Sequence, residues 1–209
     1  MSRIFLLSPA NCGGARGRLL LSEQASFPLA RQIQSAEGAP LGDVFSFVSG
    51  LYFRGKLAYA RAFARPPRRR AAAVHDGVLI ITSAAGLCPA DALVTLDALR
   101  ALGRVEVRSD NPDYRVPLVR TALALKRAVG RTYEIVLLGS IASTRYVDIL
   151  ISIFGERLVF PVEFIGRGDM SRGGLMLRSV AAGRELAYAP VAGSARHGRR
   201  PPRLEPIRR

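Results

Sequence analysis

The sequence has few of the residues that build disulfide frameworks and metal sites. Its 209 residues include two cysteines, Cys12 and Cys88, and two histidines, His75 and His197. Two cysteines are too few for a disulfide framework, and no CxxC pair is present. Because these side chains are scattered along the chain, we expect no zinc site, no other metal and no cofactor.

Long apolar runs are also missing. No run approaches the roughly 18 residues that a membrane span needs, so we expect no membrane partner. The first nine residues contain one basic residue, Arg3, and an apolar stretch too short for a signal peptide. We therefore expect this stretch to be the first core strand of a cytoplasmic protein. Hydrophobic residues make up 49% of the chain, enough to bury a full core.

Acidic residues and lysines are scarce beside arginine. The chain has 31 basic and 16 acidic residues, a net charge of +15, and Lys56 and Lys126 as its lysines. A field of this size attracts polyanions such as nucleic acid. Arginine binds phosphate bidentately and stacks on bases, which favours nucleic acid as the partner. A GC-rich genome would produce the same arginine bias, and this alternative stays open.

Two arginine-rich segments stand apart from the rest of the sequence. Arg68, Arg69 and Arg70 follow a Pro-Pro pair, which predicts an exposed loop able to contact phosphate. The second segment is rich in arginine and proline and has a single acid, Glu205. We therefore expect one α/β domain over residues 1–192 and a basic, disordered tail over residues 193–209. A solvated surface without a partner is the alternative for both segments.

Apolar runs alternate with helical patterns along the chain. Helical spacing of apolar residues predicts helices near residues 51–63, 90–102, 114–129 and 146–154. A short candidate edge strand lies at residues 186–188. The alternation predicts an α/β fold, a three-layer sandwich with a mainly parallel central sheet of about five strands. The five runs typical of buried parallel strands are residues 4–7, 78–82, 105–107, 135–138 and 158–162.

The most informative stretch covers residues 136–178. One apolar run ends in a Gly-Ser turn, and a second run leads into a loop rich in glycine and arginine. Because α/β proteins bind ligands at the carboxyl ends of parallel strands, we expect a pocket for an anionic ligand there. The predicted pocket residues are Ser8, Gly139, Ser140, Glu163 and Gly173.

Asp169 lies between Arg167 and Arg172 in this loop and is a candidate catalytic residue. Its carboxylate would activate water or stabilise a developing cation, while the two arginines would bind phosphate or nucleic acid. Two structural alternatives stay open. Asp169 and an arginine would form a structural pair, or Asp169 would cap a helix that begins near Ser171.

Asn11 follows the first predicted strand and is the second candidate catalytic residue. It would place a water molecule or a base, and the alternative is an asparagine that forms a turn or a helix cap. The glycines that follow Asn11 match neither GxGxxG nor the P-loop pattern. Cys88 and His75 flank opposite ends of one predicted strand, so we expect Cys88 to be a packed thiol rather than a nucleophile.

Several stretches together resemble a known superfold. Residues 51–60, 78–89, 136–142, 160–164 and 173–175 resemble small bacterial domains that are similar to the uracil-DNA-glycosylase-like superfold. The resemblance follows the order of elements from residue 4 to residue 180. It implies a uracil-DNA-glycosylase-like fold and action on a base or an N-glycosidic bond. The water-activating residue of that family corresponds to Asn11 here, and the later loop contains no histidine.

Charge, pocket and resemblance together favour a nucleic-acid-associated α/β protein. The first hypothesis is an enzyme that acts on a base or an N-glycosidic bond of nucleic acid. A non-catalytic module that binds RNA or DNA is the second. An enzyme acting on free nucleotides or sugar phosphates is the third, because a parallel sheet with glycine-rich edges suits those ligands as well.

Overall fold

The computed structural model describes residues 2–10, 12–67, 72–130 and 132–204. These residues form an α/β protein with a mainly parallel six-stranded sheet and a separate two-stranded sheet. The strands are β1 (Ser2–Leu7), β2 (Ala39–Pro40), β3 (Val78–Ile81), β4 (Leu87–Pro89), β5 (Leu93–Val94), β6 (Tyr133–Leu138), β7 (Leu158–Pro161) and β8 (Tyr188–Pro190).

Helices connect most of these strands. They are α1 (Ala15–Leu21), α2 (Pro28–Gln34), α3 (Leu41–Ser49), α4 (Leu51–Phe63), α5 (Leu96–Arg104), α6 (Pro112–Val129), α7 (Val147–Phe154) and α8 (Asp169–Ala181). Short 3₁₀ turns at Gly155–Arg157 and Val162–Phe164 flank β7. Within the described residues, no helix combines the length and the apolar character that a membrane span requires.

The central sheet has the strand order β4-β3-β1-β6-β7-β8. Its four inner strands are parallel, and β4 and β8 pair antiparallel at the two edges. Phe5 of β1 lies opposite Val78 on one side and Val136 on the other. The chain places β3 on one side of β1 and later places β6 on its other side. The strand order therefore reverses between β1 and β6, and such a reversal opens a crevice at the carboxyl ends of the strands.

Helices cover both faces of this sheet. Ile4 and Leu6 point to the face that carries α6 and α7, whereas Phe5 and Leu7 point to the face that carries α3, α4 and α8. Every residue of β3 and β7 is buried, as expected for strands that are covered on both sides. This double burial explains why these strands are short but uninterrupted apolar runs in the sequence.

Most of the predicted elements are confirmed. The runs at residues 4–7, 78–82, 135–138 and 158–162 are the four parallel strands, and the predicted edge strand appears slightly later as β8. The prediction of a strand at residues 105–107 is wrong. Val105 and Val107 pack partly buried against the core just after α5, but β4 already occupies the outer edge of β3. This segment therefore has no neighbouring strand of the sheet to pair with.

The helix predicted over residues 90–102 is wrong in its first half. Leu93 and Val94 form β5, which pairs antiparallel with β2. The helix α5 begins only at Leu96, after Thr95 caps it by accepting a hydrogen bond from the Ala98 amide at 3.4 Å. The cap and the β2 pairing both oppose an earlier helix start, and neither is visible in apolar spacing.

The described part of the predicted tail follows the carboxyl edge of the sheet. Residues 191–204 contain no helix or strand. The Arg196 guanidinium pairs with Asp148 at the start of α7 at 2.6 Å, and the Arg199 carbonyl closely approaches Gly166. Farther along, the Pro202 carbonyl accepts a hydrogen bond from Arg167. Residues 205–209 lie outside the described part of the chain.

The helices α4 and α8 cross in backbone contact. A Cβ atom on Gly55 would lie 2.7 Å from the Gly173 carbonyl oxygen, and one on Gly173 would lie 2.9 Å from the Leu51 carbonyl oxygen. The two glycines therefore allow an approach that any larger side chain would prevent. This crossing brings the first turn of α8 beside Tyr52 of α4.

We expect Gly173→Ala to destabilise the protein by about 1–3 kcal/mol, because the new methyl group meets backbone atoms that cannot move aside. Gly174→Ala is the matched control. Its Cβ would lie 3.6 Å from a Leu204 side-chain carbon, an ordinary contact, and alanine favours a helix by up to about 1 kcal/mol. Urea denaturation of both variants measures the difference. Equal stability of the two variants would contradict a tight crossing at Gly173.

Candidate functional site

The strand reversal places three predicted pocket residues together. Ser8 follows β1, and its amide donates to the Leu138 carbonyl at 3.1 Å. Gly139 and Ser140 follow β6. A Cβ atom on Gly139 would lie 2.8 Å from the Ser8 Cβ, so the backbone of β6 passes directly against Ser8. The sequence therefore correctly brought Ser8, Gly139 and Ser140 to one edge.

Tyr146 closes the turn after β6. Its hydroxyl accepts a hydrogen bond from the Ser140 amide and donates one to the Ser140 carbonyl, both at 3.1 Å. Burial raises the pKa of Tyr146, while hydrogen bonds with Ser143, Ser140 and Ser8 oppose that rise. The phenol thus stays protonated near neutral pH and lies against the Ser8 side chain.

Lys56 of α4 lies on the other side of Ser8 and was missed in the sequence. Its ammonium group donates to the Ser8 carbonyl at 2.8 Å and contacts Ser8 Oγ at 2.9 Å. The Nζ atom also lies 4.6 and 4.5 Å from the ring centroids of Tyr52 and Phe53. Lys56 is only 1% exposed. The sequence did contain a signal for a buried lysine. Lys56 is one of two lysines in the chain, and it precedes Leu57, which was predicted to face inward.

Burial lowers the pKa of Lys56 to about 7, and the negative charge of Asp169 opposes this shift. A lysine in this position exchanges between ammonium and amine near neutral pH. As an ammonium, it donates to both oxygens of Ser8. As an amine, it is able to accept the hydroxyl proton of Ser8. We call Ser8, Lys56 and Tyr146 the Ser–Lys–Tyr cluster.

Tyr52 adds a buried hydroxyl to the surroundings of Lys56. Among the described residues it has no hydrogen-bond partner of normal geometry. Burial raises its pKa, and the charge of Arg172 partly offsets the rise. The Arg172 side chain lies close enough to this hydroxyl to favour its ionised form, so the hydroxyl is not isolated in the core.

The first turn of α8 holds the predicted Asp169 and Arg172. Arg172 Nε and Nη2 donate to the Phe164 carbonyl at 3.2 and 3.0 Å, so this guanidinium is committed to the preceding loop. Asp169 lies 3.6 Å from Arg172 and its side chain is 68% exposed. The N-cap residue is Gly168, so Asp169 does not cap α8. Asp169 acts on the Ser–Lys–Tyr cluster through its charge, which partly offsets the lowering of the Lys56 pKa by burial.

Two predicted pocket residues have other contacts. Gly173 lies in the crossing of α4 and α8, where its missing side chain serves packing. One carboxylate oxygen of Glu163 accepts a hydrogen bond from the Ala187 amide at 3.4 Å. The other oxygen is buried without a partner among the described residues. Within the described part of the chain, neither Gly173 nor Glu163 forms a hydrogen bond with Ser8 or Lys56.

A groove lined by arginines lies between the start of α8 and the tail. It has a volume of about 580 Å³. Arg167 joins its two walls by donating to Ser171 Oγ and to the Pro202 carbonyl, both at 3.2 Å. We call it the arginine groove. Its charged lining residues are Arg167, Arg178, Arg200, Arg203 and Asp169.

A second cavity of about 390 Å³ lies at the carboxyl ends of β1 and β3, with Arg145 from the loop after β6 on its wall, and we call it the switch-point crevice. Pro9 and Ala10, which directly follow Ser8, form part of its wall. Its apolar lining is completed by Phe45, Leu102, Val105 and Val107, and its polar lining includes Cys12, Ser83, Glu106, Arg108 and Arg145. The volume lies in the range of small-molecule sites.

The remaining candidates divide into two groups. Burial raises the pKa of both Cys12 and Cys88, so both thiols are poor nucleophiles at neutral pH. Asn11 and the segment Arg68, Arg69 and Arg70 lie outside the described residues, and their predicted roles stay predictions. No group of three His, Cys, Asp or Glu side chains with metal-binding geometry occurs among the residues that the structure describes.

We expect Lys56 to make stability depend on pH. The pKa of Lys56 falls from its ordinary 10.5 to about 7 on folding, so between these values the unfolded chain binds more protons. Stability should therefore rise with pH across that window, by up to about 1.4 kcal/mol per pH unit. Lys56→Met should remove this contribution. In denaturant titrations, the free energy of unfolding of the wild type should rise relative to that of Lys56→Met between pH 7 and pH 9.5.

Ser8→Ala is the control for that experiment, because it keeps the lysine and should keep its pH dependence. A difference between wild type and Lys56→Met that stays constant across this pH range would show that Lys56 retains its proton in the folded protein.

Arg172→Ala should destabilise the protein by about 1.5–3 kcal/mol, because hydrogen bonds from a charged group to the Phe164 carbonyl are lost. Asp169→Ala should cost about 1 kcal/mol or less, as expected for an exposed ion pair. Thermal denaturation of both single variants and the double variant measures these effects. If both single variants lost a similar and large amount of stability, and the double variant lost less than the sum of the two, the ion pair itself would be the main source of stability.

The chain was also compared with known proteins. No protein-family model, curated protein or solved structure matches it. The geometry of the carboxyl edge is therefore what supports a function for this chain.

Proposed function

We propose that this protein binds nucleic acid along the carboxyl edge of its sheet, with the arginine groove as the main contact. The observation that carries the proposal is the convergence of guanidinium groups from three separate segments. Arg167 comes from the loop before α8, Arg178 from α8, and Arg200 and Arg203 from the tail. Among the residues that the structure describes, Asp169 is the one acid in the lining of this groove.

The distribution of ion pairs supports this assignment. At the amino end of β1, Arg3 binds Glu134 and Glu185, and Arg65 also binds Glu185. Within the described residues, by contrast, Arg199, Arg200 and Arg203 form no ion pair. Arginines at the amino end of the sheet are thus paired with acids. At the carboxyl edge Arg196 and Arg172 are paired as well, but these three arginines of the tail remain for a partner. Such an arrangement favours a polyanion.

The extent of the charged surface favours a polymer over a small anion. The tail runs from Asp148 at the start of α7, past Gly166, to the side of α8 next to Gly174. Arginines therefore extend across the loops that follow both β6 and β7. An extended nucleic acid backbone would contact several of them at once, whereas a single phosphate would reach only a few.

The function proposed here is the binding of nucleic acid, without a chemical reaction. The resemblance to the uracil-DNA-glycosylase-like superfold is compatible with a mainly parallel α/β sheet, and it supports a nucleic acid partner. Action on a base or an N-glycosidic bond stays a prediction, because it depends on Asn11, which is outside the described residues. Asp169, the other candidate catalytic residue, is largely exposed beside the arginine groove.

We expect the affinity for nucleic acid to fall steeply with salt. Six to ten phosphate contacts would lower the affinity by roughly 10³–10⁵ between 50 and 200 mM salt, because each contact releases condensed counterions. Fluorescence anisotropy with a labelled duplex and a labelled single strand measures the slope. Binding that does not change with salt, or no binding to either strand form at low salt, would contradict the proposal.

The combined variant Arg199→Gln, Arg200→Gln and Arg203→Gln should weaken binding at least tenfold at low salt and lower the salt slope by about three. The matched control is the combined variant Arg115→Gln, Arg120→Gln and Arg127→Gln. It removes the same charge from exposed positions of α6, on the opposite face of the sheet. An equal loss in the control would mean that net charge, and not the carboxyl edge, determines binding.

A further inference from the structure

The proposed binding of nucleic acid at the arginine groove does not involve the Ser–Lys–Tyr cluster, which does not line that groove. A lysine buried in a hydrophobic core is costly, and its main hydrogen bonds are to a serine at the edge where α/β proteins bind ligands. Tyr52 and Phe53 enclose its amine. These groups come from α4, β1 and the turn after β6, so the tertiary fold assembles them.

The geometry matches a nucleophile with its general base. Ser8 Oγ and Lys56 Nζ are 2.9 Å apart, which is within reach for proton transfer. Tyr146 lies against the same serine and supplies a phenol. Burial keeps part of the Lys56 population in the amine form near neutral pH, because it lowers the pKa of Lys56 to about 7.

We propose that Ser8 is a catalytic nucleophile and Lys56 its general base, in a site that hydrolyses small carboxylic esters entering through the switch-point crevice. Pro9 and Ala10 continue directly from Ser8 into the wall of this crevice. Ser8 itself keeps 7% of its surface exposed.

The reaction proceeds in two balanced steps. The Lys56 amine accepts the Ser8 hydroxyl proton while Ser8 Oγ attacks the ester carbonyl carbon. The tetrahedral intermediate then expels the alcohol, which takes the proton from the Lys56 ammonium and leaves an acylated Ser8. In the second step the amine takes a proton from water, which attacks the acyl carbon. The bond to Ser8 Oγ breaks, the proton returns to Ser8, and a carboxylic acid is released.

An uncharged ester fits this site better than a phosphodiester. Ser8 and Lys56 are almost fully buried, and the rings of Tyr52 and Phe53 lie over the lysine, so bringing an anion to them carries a desolvation cost that a neutral ester avoids. The crevice itself has a mixed wall, in which Phe45, Leu102 and Val105 lie beside Glu106, Arg108 and Arg145.

Charged and titratable groups around Lys56 define the expected pH profile. Asp169 and Arg172 approach from α8, Tyr52 from α4 and Tyr146 from the turn after β6. Burial raises the pKa of both tyrosines, so they remain protonated between pH 6 and pH 9. The nucleophile should therefore become active as Lys56 loses its proton, with an inflection near pH 7.

The test is covalent labelling of the full-length protein with a fluorophosphonate probe, together with hydrolysis of p-nitrophenyl acetate. We expect peptide mass spectrometry to place the label on Ser8, at a rate that rises through pH 7 and then levels. Ser8→Ala should abolish labelling. Lys56→Met should slow both reactions by about 10²–10⁴-fold, the usual contribution of a general base. Ser35→Ala, at the exposed carboxyl end of α2, should keep both activities.

Because Lys56→Met alters a buried position, the pH profile of the wild-type protein provides a test that does not depend on the folding of a variant. No label on Ser8 at any pH, or a label on another serine, overturns the proposal. Labelling of Ser8 that has no inflection near pH 7 also overturns it. A folded Lys56→Met protein that is labelled at the wild-type rate would show that Lys56 is only a structural support for Ser8.

Discussion

The close crossing of α4 and α8 determines the surroundings of the carboxyl edge. Gly55 and Gly173 allow the two helix backbones to touch, and this contact fixes the first turn of α8 beside Tyr52. Arg172 then reaches back to the Phe164 carbonyl and secures the loop that leads into α8. A larger residue at either glycine would separate the helices and would disturb both the loop and the lysine site. Packing and function therefore depend on the same backbone contact.

Charge is distributed unevenly over this frame. Glu134 and Glu185 neutralise Arg3 at the amino end of the sheet, whereas the arginines of the tail collect at the carboxyl edge. Lys56 is separate from this surface charge, because it is enclosed in the core and held by Ser8. The edge thus combines a broad cationic surface, which we propose to bind a polyanion, with a small buried cluster, which we propose to act on an uncharged substrate.

Apolar patterns predicted the four parallel strands and most of the helices, since strands that are covered on both faces leave continuous apolar runs. The prediction was wrong at residues 105–107, where apolar character reflects packing against the core without a strand partner. Ser8, Gly139 and Ser140 were brought together correctly, because strand ends of a parallel sheet meet at one edge. Gly173 was assigned to a pocket, although it lies in a helix crossing, because sequence does not distinguish a glycine near a ligand from one near a helix.

The sequence by itself determined the α/β class, the buried strands and the strong positive charge, because these depend on local periodicity and composition. Only the tertiary structure decided that Lys56 meets Ser8, 48 residues earlier in the chain, and that Pro202 meets Arg167 across the groove. Those contacts depend on the strand order and on how the helices cross. Neither is encoded in any single segment, so the chemistry of the edge emerges only when distant segments have packed together.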